Sequence, residues 1–360
     1  MLCYFCIVKC IEMAVKKKTF FIIAGVLFAV ITIVMLFGYS TYRKIVMPNV
    51  ASEDAVSIYV KTDDNLESIF TQTAAAGIFK NQDSFEWWAT RQHMGNHLSA
   101  GRYLIEPGMS NREVVNLIMS GRQTPVNVTF NNIRTKTDFA KRIGEQLMAD
   151  SLDFMQLFDS TAYLEKLGVN KDNFMTLFIP NTYELYWNTS AEGFITRMIK
   201  EHDRFWTAAR KTKADNIGLT PQQVYILASI VYSENEKAAD EAPRIAGVYM
   251  NRINKGMKLE ADPTVKFAIG NFAIKRILFA DLEIESPYNT YKYTGLPPGP
   301  IHMPPIAYID AVLNYEHHDY IFMCASGDGS GYHLFAKTLA EHNRNRDIYI
   351  ATLNKQGIRR

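Results

Sequence analysis

Glu234 ends a helical stripe of apolar residues. Val224, Leu227, Ala228 and Val231 recur at spacings of three and four, and the next position on that row is Glu234. Thr220 and Gln223 form a capping box for this helix, and Pro221 takes its first position, where a missing N–H costs nothing. Burial disfavours the ionised carboxylate, and the negative end of the helix dipole acts the same way, so the pKa of Glu234 is expected to rise. A carboxylic acid that keeps its proton near neutral pH is what cleavage of a glycosidic bond requires. Glu236 falls on the opposite side of the helix, toward solvent. The plainer alternative makes Glu234 a structural carboxylate paired with Arg244 or Arg252.

Residues 243–255 read as the next helix, with Ile245, Val248, Tyr249 and Ile253 as its apolar face and Gly256 as its stop. Asn251 and Arg252 leave it near that end. The run Asp262-Pro263-Thr264 reads as a turn. Five prolines between Pro297 and Pro305 exclude a regular helix or central strand from the later part of SPYNTYKYTGLPPGPIHMPP, residues 286–305. A stiff loop carrying Tyr288, Asn289, Thr290, Tyr291 and Tyr293 offers hydrogen-bonding groups and flat faces at little ordering cost, which suits a polysaccharide cleft; the alternative is a structural loop over the core. Residues 320–325 and 332–336 pair as a hairpin around GDGSG, placing His333 on a strand near that loop. Thr338 with Glu341 caps the last helix. His317, His318, His333 and His342 match no common ligand spacing, so neither metal nor cofactor is expected.

These groups need a scaffold, and 360 residues suffice for a membrane anchor plus two compact units. Lys plus Arg (39) nearly balances Asp plus Glu (37), which leaves no field suited to nucleic acid. Residues 19–42 carry no charge and read as a transmembrane helix; Lys16, Lys17 and Lys18 before it place the N-terminus in the cytoplasm and the chain after Arg43 outside. A cleaved signal peptide is the alternative, but no small-x-small site follows the run. Cys3, Cys6 and Cys10 precede the anchor, and Met13 is a candidate alternative start. Cys324, alone beyond the anchor, can form no internal disulfide, so the external part must rest on its hydrophobic core.

After a polar stalk, residues 57–130 read as a small β-α-α-β module. Strands are expected at 57–61, 102–105 and 126–130, helices at 66–75 and 85–92, and a further helix is capped by Ser110 and Glu113. Residues 135–215 are mostly helical, interrupted by the aromatic extended segment FIPNTYELYW (178–187), whose rings suit either a core or sugar faces. The expected class is α+β.

The blocks ILASIVYSENE, IAGVYMNRINKGMKLEADPTV, SPYNTYKYTGLPPGPI and YHLFAKTLAEHN, in this order, resemble the signature of the MltG (YceG-like) endolytic murein transglycosylase family. LSAGRYLIEPGMSNREVVNLIMSGR resembles that family's LysM-like subdomain, so the resemblance covers nearly all of the chain after Met13. It implies a cytoplasmic N-terminus (1–18), a transmembrane helix (19–42), a stalk and LysM-like glycan-binding module (43–131) and a mixed α/β catalytic domain (132–360). It also implies a lyase of the bacterial inner membrane, facing the periplasm, that cleaves MurNAc-β-1,4-GlcNAc bonds of nascent peptidoglycan to 1,6-anhydro-MurNAc ends. Glycan polymerases and penicillin-binding proteins are the implied partners. The family's catalytic glutamate falls on Glu234. Glu241, Asn251, Glu260, Asp262, Thr264, Tyr288, Asn289, Thr290, Pro298 and His333 fall in or beside its motif blocks, as candidate substrate-binding residues.

Departures from the family pattern are Tyr232, Asn235, Ala242, Glu260, Asn181, Met303 and Pro305. Glu260 adds a carboxylate near the cleft, able to raise the pKa of Glu234 further or to act as a base toward water. The competing readings are a muramidase-type hydrolase using Glu234 with Glu260 or Asp262, and a non-catalytic peptidoglycan-binding scaffold.

Overall fold

A computed structural model describes residues 2–274, 277–328 and 330–355. The chain is mixed α/β and divides into two units, at Pro125 and Val126. The first begins with α1 (Leu2–Val46), whose Cys6–Val46 portion is long and apolar enough, by length and composition, to cross a membrane, with none of it buried in protein. The helix runs past both ends of the expected 19–42 span, because the flanking residues are also good helix formers.

Strand β1 (Val56–Val60) pairs antiparallel with β2 (Gly101–Ile105), Val56 opposite Ile105 and Val60 opposite Gly101. Helices α2 (Leu66–Ala75) and α3 (Gln82–Arg91) lie between them in sequence, and α4 (Asn111–Met119) follows. Alternation sends Ile58, Val60, Tyr103 and Ile105 inward, where they meet Ile69, Phe85, Val114 and Ile118. Helix α3 starts three residues before the expected Phe85, since the Asn81 side chain accepts from the Ser84 amide and caps the turn. The Ser110–Glu113 capping box of α4 forms as expected. Buried Asn111 donates to the Lys44 carbonyl at 2.8 Å, tying the end of α1 to this unit.

The expected strand at 126–130 exists, but it belongs to the second unit. As β3 (Val126–Phe130) it pairs antiparallel with β4 (Asn181–Leu185), so the first unit ends at Pro125 rather than at residue 131. Period-two alternation shows that a segment is a strand without naming its partner. Helices α5 (Lys136–Gly144), α6 (Ser151–Asp159), α7 (Thr161–Lys166) and α8 (Ala191–Phe205) join this pair around a core of Phe130, Phe139, Phe154, Phe158, Phe178 and Phe194. Phe178, Ile179, Tyr183 and Leu185 of the aromatic segment are buried, which assigns those side chains to the core.

A second core in the same unit gathers around α10 (Pro221–Glu234), which follows α9 (Ala208–Asn216). It includes α11 (Ala242–Asn254) and α13 (Ile306–Leu313), with α12 (Asp262–Ile269) packed beside α10. The Asp262-Pro263-Thr264 run opens α12 instead of making a turn, because proline is as welcome in the first turn of a helix as in a β-turn. Residues 286–305 contain no helix or strand, as expected from the prolines. Gly299 in that loop lies against the Asp172 carbonyl, which an added Cβ would approach to 1.8 Å. Strands β5 (Phe322–Ala325) and β6 (His333–Ala336) pair antiparallel with Ala325 opposite His333; Gly329 of the intervening GDGSG lies outside the described residues. Thr338 and Glu341 exchange capping hydrogen bonds at the start of α14 (Leu339–Lys355).

Candidate active site

Glu234 is the last residue of α10, and its side chain lines a cavity of about 360 Å³. The helix is buried on all sides from Val224 through Tyr232, not along one stripe, because α11, α12 and α13 all pack on it. At its end the Tyr249 hydroxyl donates to Glu234 Oε1 at 2.6 Å. Burial is the largest influence on the carboxyl and pushes its pKa up to about 7. The Tyr249 hydrogen bond and the charges of His333 and Lys266 pull it down, while the Asp262 charge pushes it up. The ion-pair alternative fails on geometry: Arg244 is bound to Glu316 at 3.0 Å and Arg252 to Glu260 at 2.9 Å.

Both other carboxylates on the cavity are engaged. Glu260 accepts from Arg252 Nη1, and Asp262 Oδ1 accepts the Tyr291 hydroxyl at 2.6 Å. Among the cavity carboxylates it is the Asp262 charge that adds to the upward push of burial on Glu234, while Glu260 is paired with Arg252. Glu260 holds a left-handed φ of 53°, and its amide donates to the Thr290 carbonyl, fixing the backbone where the proline-rich loop meets the cavity.

His333 reaches the cavity from β6. Its amide donates to Glu241 Oε1 at 3.0 Å, and its Nδ1 lies 2.8 Å from Oε2 of the same residue. A carboxylate can only accept, so Nδ1 of His333 carries the proton of this hydrogen bond. Glu241 is buried and also accepts from Asn235 Nδ2 at 2.9 Å, so it acts behind the cavity wall as a support for His333.

Of the candidate site residues, Glu234, Glu260, Asp262 and His333 meet at the cavity, and Tyr291 of the stiff loop joins them. The others lie behind or beside it. Buried Thr264 and Thr290 share a hydrogen bond at 2.9 Å that joins α12 to the loop. Asn289 pins the loop to the Leu282 and Ile284 carbonyls. Asn251 donates to the carbonyls of His318 and Tyr320 ahead of β5. Tyr288 packs on Phe267, and Pro298 is partly buried in the loop. Glu236 is exposed as expected, and Arg134 binds it at 2.7 Å.

Tyr249, Arg252 and Tyr349 also line the cavity but were not among the candidate site residues. The available signal for Tyr249 was a hydroxyl on an otherwise apolar helix face, which needs a partner once buried. Nothing in the sequence points to Tyr349, which α14 brings in from the far end of the chain.

A family model described as YceG-like matches residues 58–348. A Bacillus subtilis (strain 168) protein named endolytic murein transglycosylase is 27% identical over 321 residues, which cover 85% of this chain and 88% of that relative. A Streptococcus pneumoniae (strain D39) protein of the same name is 26% identical over 91% of this chain, which spans only 64% of the relative's length. The crystal structure of a YceG-like protein from Listeria monocytogenes superposes with a TM-score of 0.53 at 26% identity, covering 81% of this chain and 99% of the other. The matched residues run through both units and include every residue lining the cavity except Tyr349, and on that ground the chain belongs to the YceG-like family.

Proposed function

We propose that the protein is an endolytic peptidoglycan lytic transglycosylase in which Glu234 serves first as acid and then as base. The observation that carries this reading is a single carboxyl held near pKa 7 in a polar cavity whose other two carboxylates are already engaged. Protonated Glu234 gives its proton to the oxygen bridging MurNAc and GlcNAc; the bond from MurNAc C1 to that oxygen breaks, and the GlcNAc 4-hydroxyl leaves. The resulting carboxylate then takes the proton of the MurNAc C6 hydroxyl as that oxygen closes on C1. The product is a 1,6-anhydro-MurNAc end, and no water is consumed. One group performs both transfers, so a second carboxylate base is not needed. Tyr249 steadies the ionised form between the two steps, and the negative charge of Asp262 favours a cationic sugar.

Glu260, Asp262 and His333 bind the sugars directly in this reading. Glu241, Asn251, Thr264, Tyr288, Asn289, Thr290 and Pro298 shape the cleft around them. Helix α1 anchors the protein in the inner membrane with its N-terminus in the cytoplasm and the catalytic domain in the periplasm. Three lysines before the uncharged run support that topology. The β1–β2 unit acts as a LysM-like module that seats the glycan. Cleavage close to the membrane would set the length of nascent strands and bring the protein near glycan polymerases and penicillin-binding proteins.

The test is mass spectrometry of the products from uncrosslinked nascent peptidoglycan treated with the wild type and with Glu234→Gln. Anhydro-MurNAc ends from the wild type alone are expected. Reducing ends would replace the lyase with a muramidase-type hydrolase, and the absence of cleavage would leave a binding scaffold.

A further inference from the structure

A cavity of about 460 Å³ lies where α1 meets the rest of the first unit, lined by Arg43 and Lys44 of the helix and by Lys80 from the segment between α2 and α3. We propose that it binds the phosphate headgroup of an acidic phospholipid in the leaflet from which α1 emerges. The inference rests on the membrane-anchor reading of α1 and goes beyond it, because it assigns a ligand to the point where the anchor ends.

The height of the cavity follows from α1. Residues 19–42 carry no charge, and at about 1.5 Å per residue they rise about 36 Å against about 30 Å of hydrocarbon, so Arg43 and Lys44 emerge at the headgroups. The helix then passes into the folded unit under tight restraint. Buried Asn111 donates to the Lys44 carbonyl at 2.8 Å, and Pro48 forms a bridge with Ser110. Buried Asn49 fastens the opposite wall. It accepts from the Asn81 amide at 2.9 Å, donates to the Asn81 carbonyl at 2.9 Å and to Asn111 Oδ1 at 2.8 Å, and its carbonyl accepts from the Lys80 amide at 2.7 Å. The backbone of Lys80 is thereby tied to the chain that leaves the helix. Trp87 of α3 is exposed, with Lys44 Nζ and the Arg91 guanidinium each 5.8 Å from its ring, and an exposed tryptophan beside the end of a membrane helix suits the interfacial belt.

The charge of the lining has one sign. Arg43, Lys44 and Lys80 are exposed; among the described residues no aspartate or glutamate lines the cavity, and none of the three cations makes an ion pair. The acids of α3, Asp83 and Glu86, line a separate hollow with Glu67 and Arg91. Topology does not call for these cations, since the positive-inside bias favours the opposite flank of the span, where Lys16, Lys17 and Lys18 stand. Snorkelling accounts for Arg43 and Lys44 at a helix end, but not for Lys80, which another element brings to the same cavity. Cations at a bilayer surface are drawn to anionic lipid, and a phosphate oxyanion is the acceptor there that arginine and lysine serve best. A headgroup seated in the cavity holds the first unit against the membrane surface.

The test is native mass spectrometry of the delipidated full-length protein in neutral detergent, titrated with phosphatidylglycerol or with phosphatidylcholine of the same acyl chains. Phosphatidylglycerol is expected to bind in preference, and the preference should fall about fivefold for each cation removed by Arg43→Gln, Lys44→Gln and Lys80→Gln. Equal binding of the two lipids, or a preference that survives the triple variant and is lost instead in Lys16→Gln/Lys17→Gln/Lys18→Gln, would overturn the proposal. Excess inorganic phosphate should leave the lipid in place; displacement of the lipid would make this a free-phosphate site and overturn the headgroup assignment. Flotation with phosphatidylcholine vesicles after an alkaline wash tests the anchor separately. Protein stripped from the vesicles refutes the membrane reading, whereas retained protein that shows no lipid preference refutes the headgroup site alone.

Discussion

The two cores of the second unit use opposite chemistry. Around β3, β4 and α5–α8, phenylalanines pack on one another, as where Phe139 meets Phe178 at 4.6 Å and Phe130 at 5.1 Å. Around α10 and α11 the interior also takes in Ser229, Asn235, Glu241 and Arg252, and Thr264 and Thr290 are buried nearby. Burying such groups is costly unless each finds a partner, and here each does: Asn235 with Glu241, Arg252 with Glu260 and backbone carbonyls, Thr264 with Thr290. The aromatic core stabilises the unit. The polar one holds a carboxyl, a tyrosine and a histidine at one cavity. The lesson is that a buried polar network marks a site more reliably than the apolar pattern around it does.

That contrast can be broken most severely at Glu234. Glu234→Gln should lower the rate of strand cleavage by about 10² to 10⁴-fold, the usual contribution of a general acid/base, with an unchanged circular dichroism spectrum. Phe139→Ala should do the reverse, costing about 3–5 kcal/mol in a denaturant titration while the protein that remains folded keeps its kcat.

The same glutamine should stabilise the fold in a pH-dependent way. The carboxyl of Glu234 is raised from 4.5 to about 7 on folding, so the folded state prefers it protonated. That preference is satisfied below pH about 4.5, and stability is lost as pH rises through about 7. Glu234→Gln should therefore match the wild type at pH 4 and exceed it at pH 8, by about 3 kcal/mol at most.

Tyr249→Phe removes the hydrogen bond that favours the ionised carboxyl, so the Glu234 pKa should climb. The alkaline limb of the kcat/KM profile should move up by about one pH unit, with the fold intact. A limb that stays in place would separate Tyr249 from the acid. The smallest effect is local: Thr220→Ala should cost about 1 kcal/mol in thermal unfolding through loss of the α10 cap, with no shift in the pH profile.

Several elements were legible because their causes are local. Capping boxes at Ser110, Thr220 and Thr338 and the prolines of residues 286–305 act within a few residues, and each element appears where the sequence places it. Errors arose where a local signal has two outcomes. Alternation at 126–130 made a strand but left its partner open, and Asp262-Pro263-Thr264 served a helix start as readily as a turn. Glu234 was picked out by helical spacing, although α10 proved buried all round, so the stripe alone understated how unusual a carboxyl is there.

The sequence by itself determined that an acidic residue ends a buried helix, that a stiff loop and a hairpin follow it, and that an uncharged helical run at residues 19–42 lies ahead of them. Those properties depend on spacing, capping and backbone restriction, which neighbouring residues settle among themselves. Tertiary structure alone decided that Tyr249 would hold Glu234, that Arg252 would pair with Glu260 and Tyr291 bind Asp262, and that Glu241 would stand behind His333. The Tyr249, Tyr291 and Glu241 pairings join residues 15, 29 and 92 positions apart, and even the nearer Arg252 and Glu260 sit on opposite sides of a helix stop. Hydrogen bonds act only over about 3 Å, so these partnerships exist only after packing has brought the elements together.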